Sequence, residues 1–479
     1  MLGPIAVEEM AGQADLVIAS LSGYDAFTGE LDADVAAIRL QLAPSDDIEI
    51  GSVPGSPIAV VLVYQRGAVD ARALSVSVLS PLRQGQTASL PATAEVGAVE
   101  DAVRHVLDGD LLLLQQGSPN VLVLHLPAAL QAAKPSAERV VRGPNEAFTE
   151  AFYQNLALLR RMAKHPRLRV EIGQLPGNPQ RQFAIAYVQG EASLVVRADL
   201  LQRLKQVHIM DVVDVTVLKP ALADDPYSPF VNVQLTERVD LAAIAATEGR
   251  YVLFTAGSAQ VLLLPATFVE MMNSPEDRYL PRYLGDLARV TRWLGFGIAL
   301  TLEALFIAVT TIHQELLPTP LAFAIARSRS GVPLPVAGEI LVMAIVVEVL
   351  REAAIRLPAP LSQTISIVGV LVIGQAVVQA NLISGPVIVV ISVAALASFV
   401  LPQYEMALIV RFLRFPAMAC AAALGLYGVA IFALLTVLHL ASLRSFGVAY
   451  LSPLAPLHHR QVSRILRLPL RVQRRLQPS

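Results

Sequence analysis

The chain has 479 residues, 54% hydrophobic and 16% charged, with a mean hydropathy of +0.55 and a formal net charge of −2. This balance is too apolar for an ordinary soluble enzyme and too charged for a chain embedded throughout, so a part-soluble, part-embedded protein is expected. A single cysteine, Cys420, excludes an intramolecular disulfide and any multi-cysteine metal site, and in its apolar helix it reads as a small buried residue.

The first residues, MLGPIAVEEMAGQADLVIAS, lack a basic start and carry Glu8, Glu9 and Asp15 where a signal peptide needs its apolar stretch. An uncleaved, cytoplasmic N-terminus is expected. Globular patterning covers the first 285 residues or so. Strands are expected at 58–64 (IAVVLVY), 110–114, 121–126, 183–187 (FAIAY), 251–255 and 260–264, and helices at 31–42, 94–107, 145–164 and 198–206. Tyr64 with Gly67 and Tyr187 with Gly190 repeat one strand-and-turn design, which points to two related α/β modules. They are placed at 1–134 and 145–274, joined through the charged, proline-bounded stretch 132–144.

From residue 275 the pattern changes. Residues 275–292 (PEDRYLPRYLGDLARVTR) read as a helix lying at a membrane surface. A helical transmembrane domain is expected over 293–441, with apolar segments at 293–312, 336–350, 364–383, 386–401 and 416–439; residues 316–326 read as a re-entrant or interfacial piece. The run 364–401 contains no charged residue and is broken by Ser384-Gly385-Pro386. A span needs about 20 apolar residues, so this run accommodates two. The tail, 442–479, holds seven arginines and no acid and is expected on the cytoplasmic side.

Motifs for catalysis, nucleotide binding or metal ligation are missing, so no enzymatic activity, cofactor, metal or nucleic-acid partner is expected. What remains is charge in or beside the membrane. Glu303 lies mid-segment, where a charge costs roughly 2.5–3.5 kcal/mol on insertion scales, so it is expected to face protein or water. Glu348 and Glu352 share a helix face, Glu339 points to the opposite side, and Arg351 and Arg356 stand where they can pair within the helix. Two readings stay open for these charges, a salt-bridged helix end and a charge-lined pathway. Ala417, Ala421 and Gly425 form a small-residue ridge for close helix packing. Gln375 and Gln379 make one face of the 364–383 segment polar, either as a pore lining or as an interhelical hydrogen-bond seam. Val368, Val372 and Ile373 lie on or near that face as candidate constrictions.

Several segments together resemble the A-subunit family of bacterial spore germinant receptors, the GerA type. They are 348–358 (EVLREAAIRLP), 365–379 (ISIVGVLVIGQAVVQ), 445–456 (SFGVAYLSPLAP), 138–149 (ERVVRGPNEAFT), 227–238 (YSPFVNVQLTER) and 264–279 (LPATFVEMMNSPEDRY). Departures fall at Glu303, Gln379, Asn381 and Ala449. The resemblance implies a non-enzymatic subunit of the spore inner membrane, with both termini cytoplasmic. It further implies a transporter-like B subunit and a lipoprotein C subunit as partners, and homo-oligomerisation into a nutrient-gated ion channel. The rival reading is a non-conducting scaffold that couples the B subunit to downstream release machinery.

Overall fold

The computed structural model describes residues 26–356 and 374–455, apart from 43, 87–88, 137, 139, 141, 178–179 and 208–213. Val368, Val372, Ile373 and most of the basic tail lie outside the described residues. The rest falls into two compact units. One comprises the chain up to Pro226 with Val233–Pro265 and Ser445–Gly447; the other comprises Tyr227–Asn232, Ala266–Arg444 and the segment from Val448.

The first unit is α/β and built twice. Its first sheet joins β1 (Ile48–Ser52), β2 (Val60–Gln65), β3 (Ala92–Val96), β4 (Leu111–Gln115) and β5 (Val121–Leu124) in the order β1-β2-β4-β5-β3. The second joins β6 (Leu168–Gln174), β7 (Gln182–Val188), β8 (Gln234–Thr236), β9 (Tyr251–Thr255) and β10 (Val261–Leu264) in the order β6-β7-β9-β10-β8. The two orders are the same, and every pairing is antiparallel. Helix α1 (Leu31–Gln41) precedes β1 as α3 (Phe152–Ala163) precedes β6, and α2 (Val99–Asp108) precedes β4 as α5 (Val239–Thr247) precedes β9.

Each sheet is covered on both faces, which explains why β4 reads as an unbroken apolar run. Leu112 and Leu114 pack with Ile38 and Val103 on one side, while Leu111 and Leu113 pack with Val78 and Leu82 on the other. In the second module Val252 and Phe254 face α3 and α5, and Leu253 faces Leu200 and Leu204 of α4 (Leu194–Gln206). Gly67 and Gly190, the turn residues of the sequence echo, both have left-handed φ, +84° and +91°. Gly67 is further constrained because a side chain there would strike the Tyr153 carbonyl of α3.

Two helical expectations in this unit are corrected. Residues 94–107 are not one helix: Ala92–Val96 is a strand paired with β5, and the helix starts at Val99. Alanine-rich sequence suits a helix, but pairing along the β5 edge overrides that weak preference. The helix expected from 145 begins only at Phe152, because 145–151 is extended and its Ala147 bridges Ala133 and Arg238.

The second unit is helical: α6 (Phe268–Met272), α7 (Arg282–Thr311), α8 (Thr319–Ser328), α9 (Val336–Arg356), α10 (Gly374–Gln379), α11 (Gly385–Ser398), α12 (Tyr404–Leu424) and α13 (Leu426–Ser442). Among the described residues α7 and α12 are long and apolar enough to cross a membrane, while α11 and α13 are shorter apolar helices. The surface helix expected at 275–292 is not a separate element. Pro275–Arg278 is a 3-10 turn, and after Pro281 the chain enters a single 30-residue helix that continues through residue 292 to Thr311. The apolar stretch 416–439 is likewise not one span. It breaks at Gly425, whose φ of +62° and ψ of −138° only glycine adopts readily.

Candidate functional site

On α7 a single stripe faces inward, running from Gly285 through Arg289, Arg292, Gly295 and Ala299 to Glu303 and Ile307. Its small residues let neighbours approach. A side chain at Gly295 would sit 3.2 Å from the Ala397 carbonyl of α11. The same stripe carries charge at two levels.

At the lower level Asp277, fully buried in the 3-10 turn, receives Arg289 Nε at 3.2 Å and Arg292 Nη1 and Nη2 at 2.7 and 2.5 Å. The turn is thereby clamped to the first part of α7. Ser274 N also donates to Asp277, closing a capping box.

At the upper level Glu303 is 1% exposed and Arg414 of α12 is 3% exposed. Arg414 Nη1 donates to Glu303 Oε1 at 3.2 Å, and Arg414 Nη2 donates to Glu348 Oε1 at 2.8 Å and to the Ala344 carbonyl at 3.2 Å, both on α9. Arg411 Nε donates to the second oxygen of Glu348 at 2.8 Å. One arginine thus ties α7, α9 and α12 together through two carboxylates. Glu303 Oε2 and Arg414 Nε are buried without a hydrogen-bond partner among the described residues. Unmet polar atoms at a buried ion pair raise the cost of keeping it and lower the cost of rearranging it.

Arg351 does not pair with Glu348 as the helical spacing allows. Its Nη2 donates to Ser398 Oγ at 3.1 Å and to the Ala395 carbonyl at 3.4 Å, and its guanidinium lies 4.7 Å from the Phe399 ring centroid. The C-terminal end of α11 offers unpaired carbonyls that suit a cation, and Arg411 and Arg414 already fill the Glu348 oxygens. Glu352 and Arg356 form an exposed i,i+4 pair at 2.6 Å. Glu339 is fully buried at the other end of α9: its Oε2 accepts from Ser384 N and Oγ at 2.8 and 2.7 Å, and its Oε1 from Arg329 Nε at 3.1 Å. It therefore caps the N-terminus of α11, where a carboxylate is favoured.

Gln375 and Gln379 are both exposed on α10. Ala417 and Ala421 are fully buried on α12, but Gly425 does not continue their ridge, because it forms the break between α12 and α13. Arg411, Arg414 and Arg329 were missed in the sequence. A usable signal exists: Arg411 and Arg414 are isolated cations in the apolar run LIVRFLRFPAM, and buried acids such as Glu303 require such partners.

In the α/β unit one polar cluster surrounds Glu171. Arg197 donates to both of its oxygens at 2.9 and 2.6 Å and Tyr187 Oη at 2.5 Å. Burial raises Glu171, but Arg197, Tyr187 and Arg169 together hold it below the ordinary carboxylate value. Burial and then the Glu171 carboxylate push Tyr187 up to about 12. Arg197 Nε and Nη2 and Tyr187 Oη all donate to Glu171, so the cluster reads as a structural tie between α4 and the sheet.

The profile of the Bacillus/Clostridium GerA spore germination proteins matches residues 36–478. The chain belongs to the GerA family. Among its relatives, spore germination protein A1 of Bacillus subtilis (strain 168) is 39% identical over 360 residues, covering 75% of each chain. The uncharacterized membrane protein YfkQ of the same organism is 35% identical over 381 residues, 79% of this chain and 74% of that one. Spore germination protein KA, also from that strain, is 32% identical over 445 residues, 89% and 82%. The N-terminal domain of the A subunit of the Bacillus megaterium spore germinant receptor GerK3 aligns over 51% of this GerA-family chain and 98% of that domain, at 24% identity and a TM-score of 0.39. The family resemblance read from the sequence segments is thus confirmed by a match over most of the chain.

Proposed function

We propose that this GerA-family protein is the A-type subunit of a nutrient germinant receptor in the spore inner membrane, crossing the membrane more than once with both termini cytoplasmic. It works beside a transporter-like B subunit and a lipoprotein C subunit, and several copies assemble into a nutrient-gated ion channel. The observation that carries this reading is the charge node in which the buried pair Glu303 and Arg414 joins the half-buried Glu348 and Arg411 within a family-matched helical unit. Three helices held by ion pairs with spare buried atoms form a two-state element of the kind a gate requires. The conducting path is assigned to the polar face of residues 364–383, with Gln375 and Gln379 inward and Val368, Val372 and Ile373 as constrictions that dewet when closed. Ala417 and Ala421 supply close helix contacts.

The test compares spores carrying Val372→Ala and Gln375→Leu at matched protein levels. Val372→Ala is expected to leak ions without nutrient, and Gln375→Leu to suppress nutrient-triggered release. Unchanged germination and equal ion retention in both would place the path elsewhere and favour the scaffold reading.

A further inference from the structure

The internal repeat places an occupied docking surface on one module and, on the other, a copy of it that no described residue occupies. In the second module, the outward-facing groups of edge strand β6 are taken by residues 45–47 of the first. Val170 N donates to Ser45 Oγ at 2.7 Å, Asp46 N donates to the Val170 carbonyl at 2.9 Å, and Ile172 N donates to Asp46 Oδ2 at 2.8 Å. Arg160 of α3 then grips Asp47, its Nε and Nη2 each donating to a carboxylate oxygen at 2.8 Å with both side chains 0% exposed.

Hydrogen bonds fix how the modules superpose. Asp34 of α1 and Asn155 of α3 each accept from the amide of a threonine six residues back, Thr28 and Thr149, at 2.8 Å. Five residues further along, α1 carries Arg39 where α3 carries Arg160. On the strands, Arg66 N donates to the Asp47 carbonyl as Gln189 N donates to that of Arg167, which aligns Ile50 with Val170 and Ser52 with Ile172. Alternation along the antiparallel ladder turns the amide and carbonyl of Ile50 away from β2. Among the described residues neither group has a partner outside its own strand pair, and Arg39 is exposed and makes no ion pair.

We propose that the β1 edge with Arg39 is a docking site for an acidic, extended segment of a partner protein. That segment supplies what residues 45–47 supply to β6: a main-chain donor for the Ile50 carbonyl, a side-chain oxygen for the Ile50 amide and a carboxylate for Arg39. The mode is edge addition with a charge-assisted anchor. Charge and covalent structure argue against a second copy of this chain stacking through its equivalent loop. Pro166 replaces Asp46 and has no amide to donate, and Arg167 replaces Asp47 and would oppose Arg39.

The experiment titrates the fluorescein-labelled peptide APSDDIEI, residues 43–50 of this chain, against the full-length protein in detergent. Saturable binding is expected, weakened at least tenfold by Arg39→Glu, lost with Ile50→Pro, and weakened when both peptide aspartates become asparagine. Arg39→Lys retains part of the affinity, and unchanged melting of the Arg39 variants shows that the fold is intact. No binding at millimolar peptide, or equal binding to wild type and Arg39→Glu, overturns the proposal. Binding that appears only after deletion of residues 1–25 also overturns it, because the occupant would then be the chain's own acidic N-terminal segment.

Discussion

Replacing Arg414 by methionine is the most direct probe of the charge node. Arg414 is 3% exposed and its pairing partner Glu303 1% exposed, so the variant leaves a carboxylate buried with no cation and deprives Glu348 of one of its two arginines. Removing one member of a buried ion pair costs about 3–5 kcal/mol, because the surviving charge keeps its desolvation penalty. That corresponds to roughly a hundredfold to a few thousandfold shift in the local folding equilibrium. The readout is available in the sequence: Trp293, the only tryptophan, lies on α7 about three turns before Glu303, so denaturant unfolding in detergent can be followed by its emission. A second variant, Glu303→Gln with Arg414→Met, removes both charges and is expected to recover more than half of the loss. A cost below about 1 kcal/mol for the single variant, or no recovery in the double, would refute the reading of Arg414 as the tie between α7, α9 and α12.

The remaining predictions concern the α/β unit and the helix break. Arg160→Met, which strands the fully buried Asp47, is expected to destabilise the module contact by about 3–5 kcal/mol, seen as faster hydrogen exchange at Val170 and Ile172; unaltered protection there would contradict it. Burial lowers Lys219 from its ordinary value to about 8, opposed in part by Asp214. Because the folded value lies below the unfolded one, the penalty is full below pH 8 and is relieved as pH rises toward 10.5. Stability of wild type relative to Lys219→Met should therefore rise by at most about 3 kcal/mol across that window, and a flat difference in melting curves would contradict this. Gly425→Ala forces a side chain onto a left-handed backbone and against the His313 ring, 2.6 Å away, and is expected to lower detergent stability by more than about 1 kcal/mol, whereas Gly297→Ala, which meets open space, is not.

The duplicated α/β architecture was legible because its central strands carry the signal: 58–64, 183–187 and 251–255 are apolar on both faces and end in glycine turns. The edge strands β1 (IEIGS) and β6 (LRVEIGQ) were not, since one sheet edge and part of a face bear polar residues and the alternation is blurred. Glu303 and Glu339 declared themselves as charges in apolar sequence. Their partners did not, because Arg414 lies 111 residues from Glu303 and Ser384 lies 45 from Glu339, and only the packing of the helices brings them together. Gly425 shows a different limit. Small residues every four positions mark a packing ridge, yet the last of the three is small because the backbone needs glycine to turn.

The central claim is nutrient-gated conduction, and the most direct measurement is ion flux from liposomes containing the purified protein, alone and together with the proposed B and C subunits, with and without a nutrient mixture. The account predicts monovalent cation release that requires nutrient when the partners are present and that falls on Gln375→Leu. Tight liposomes under every condition, with the protein correctly inserted, would contradict it.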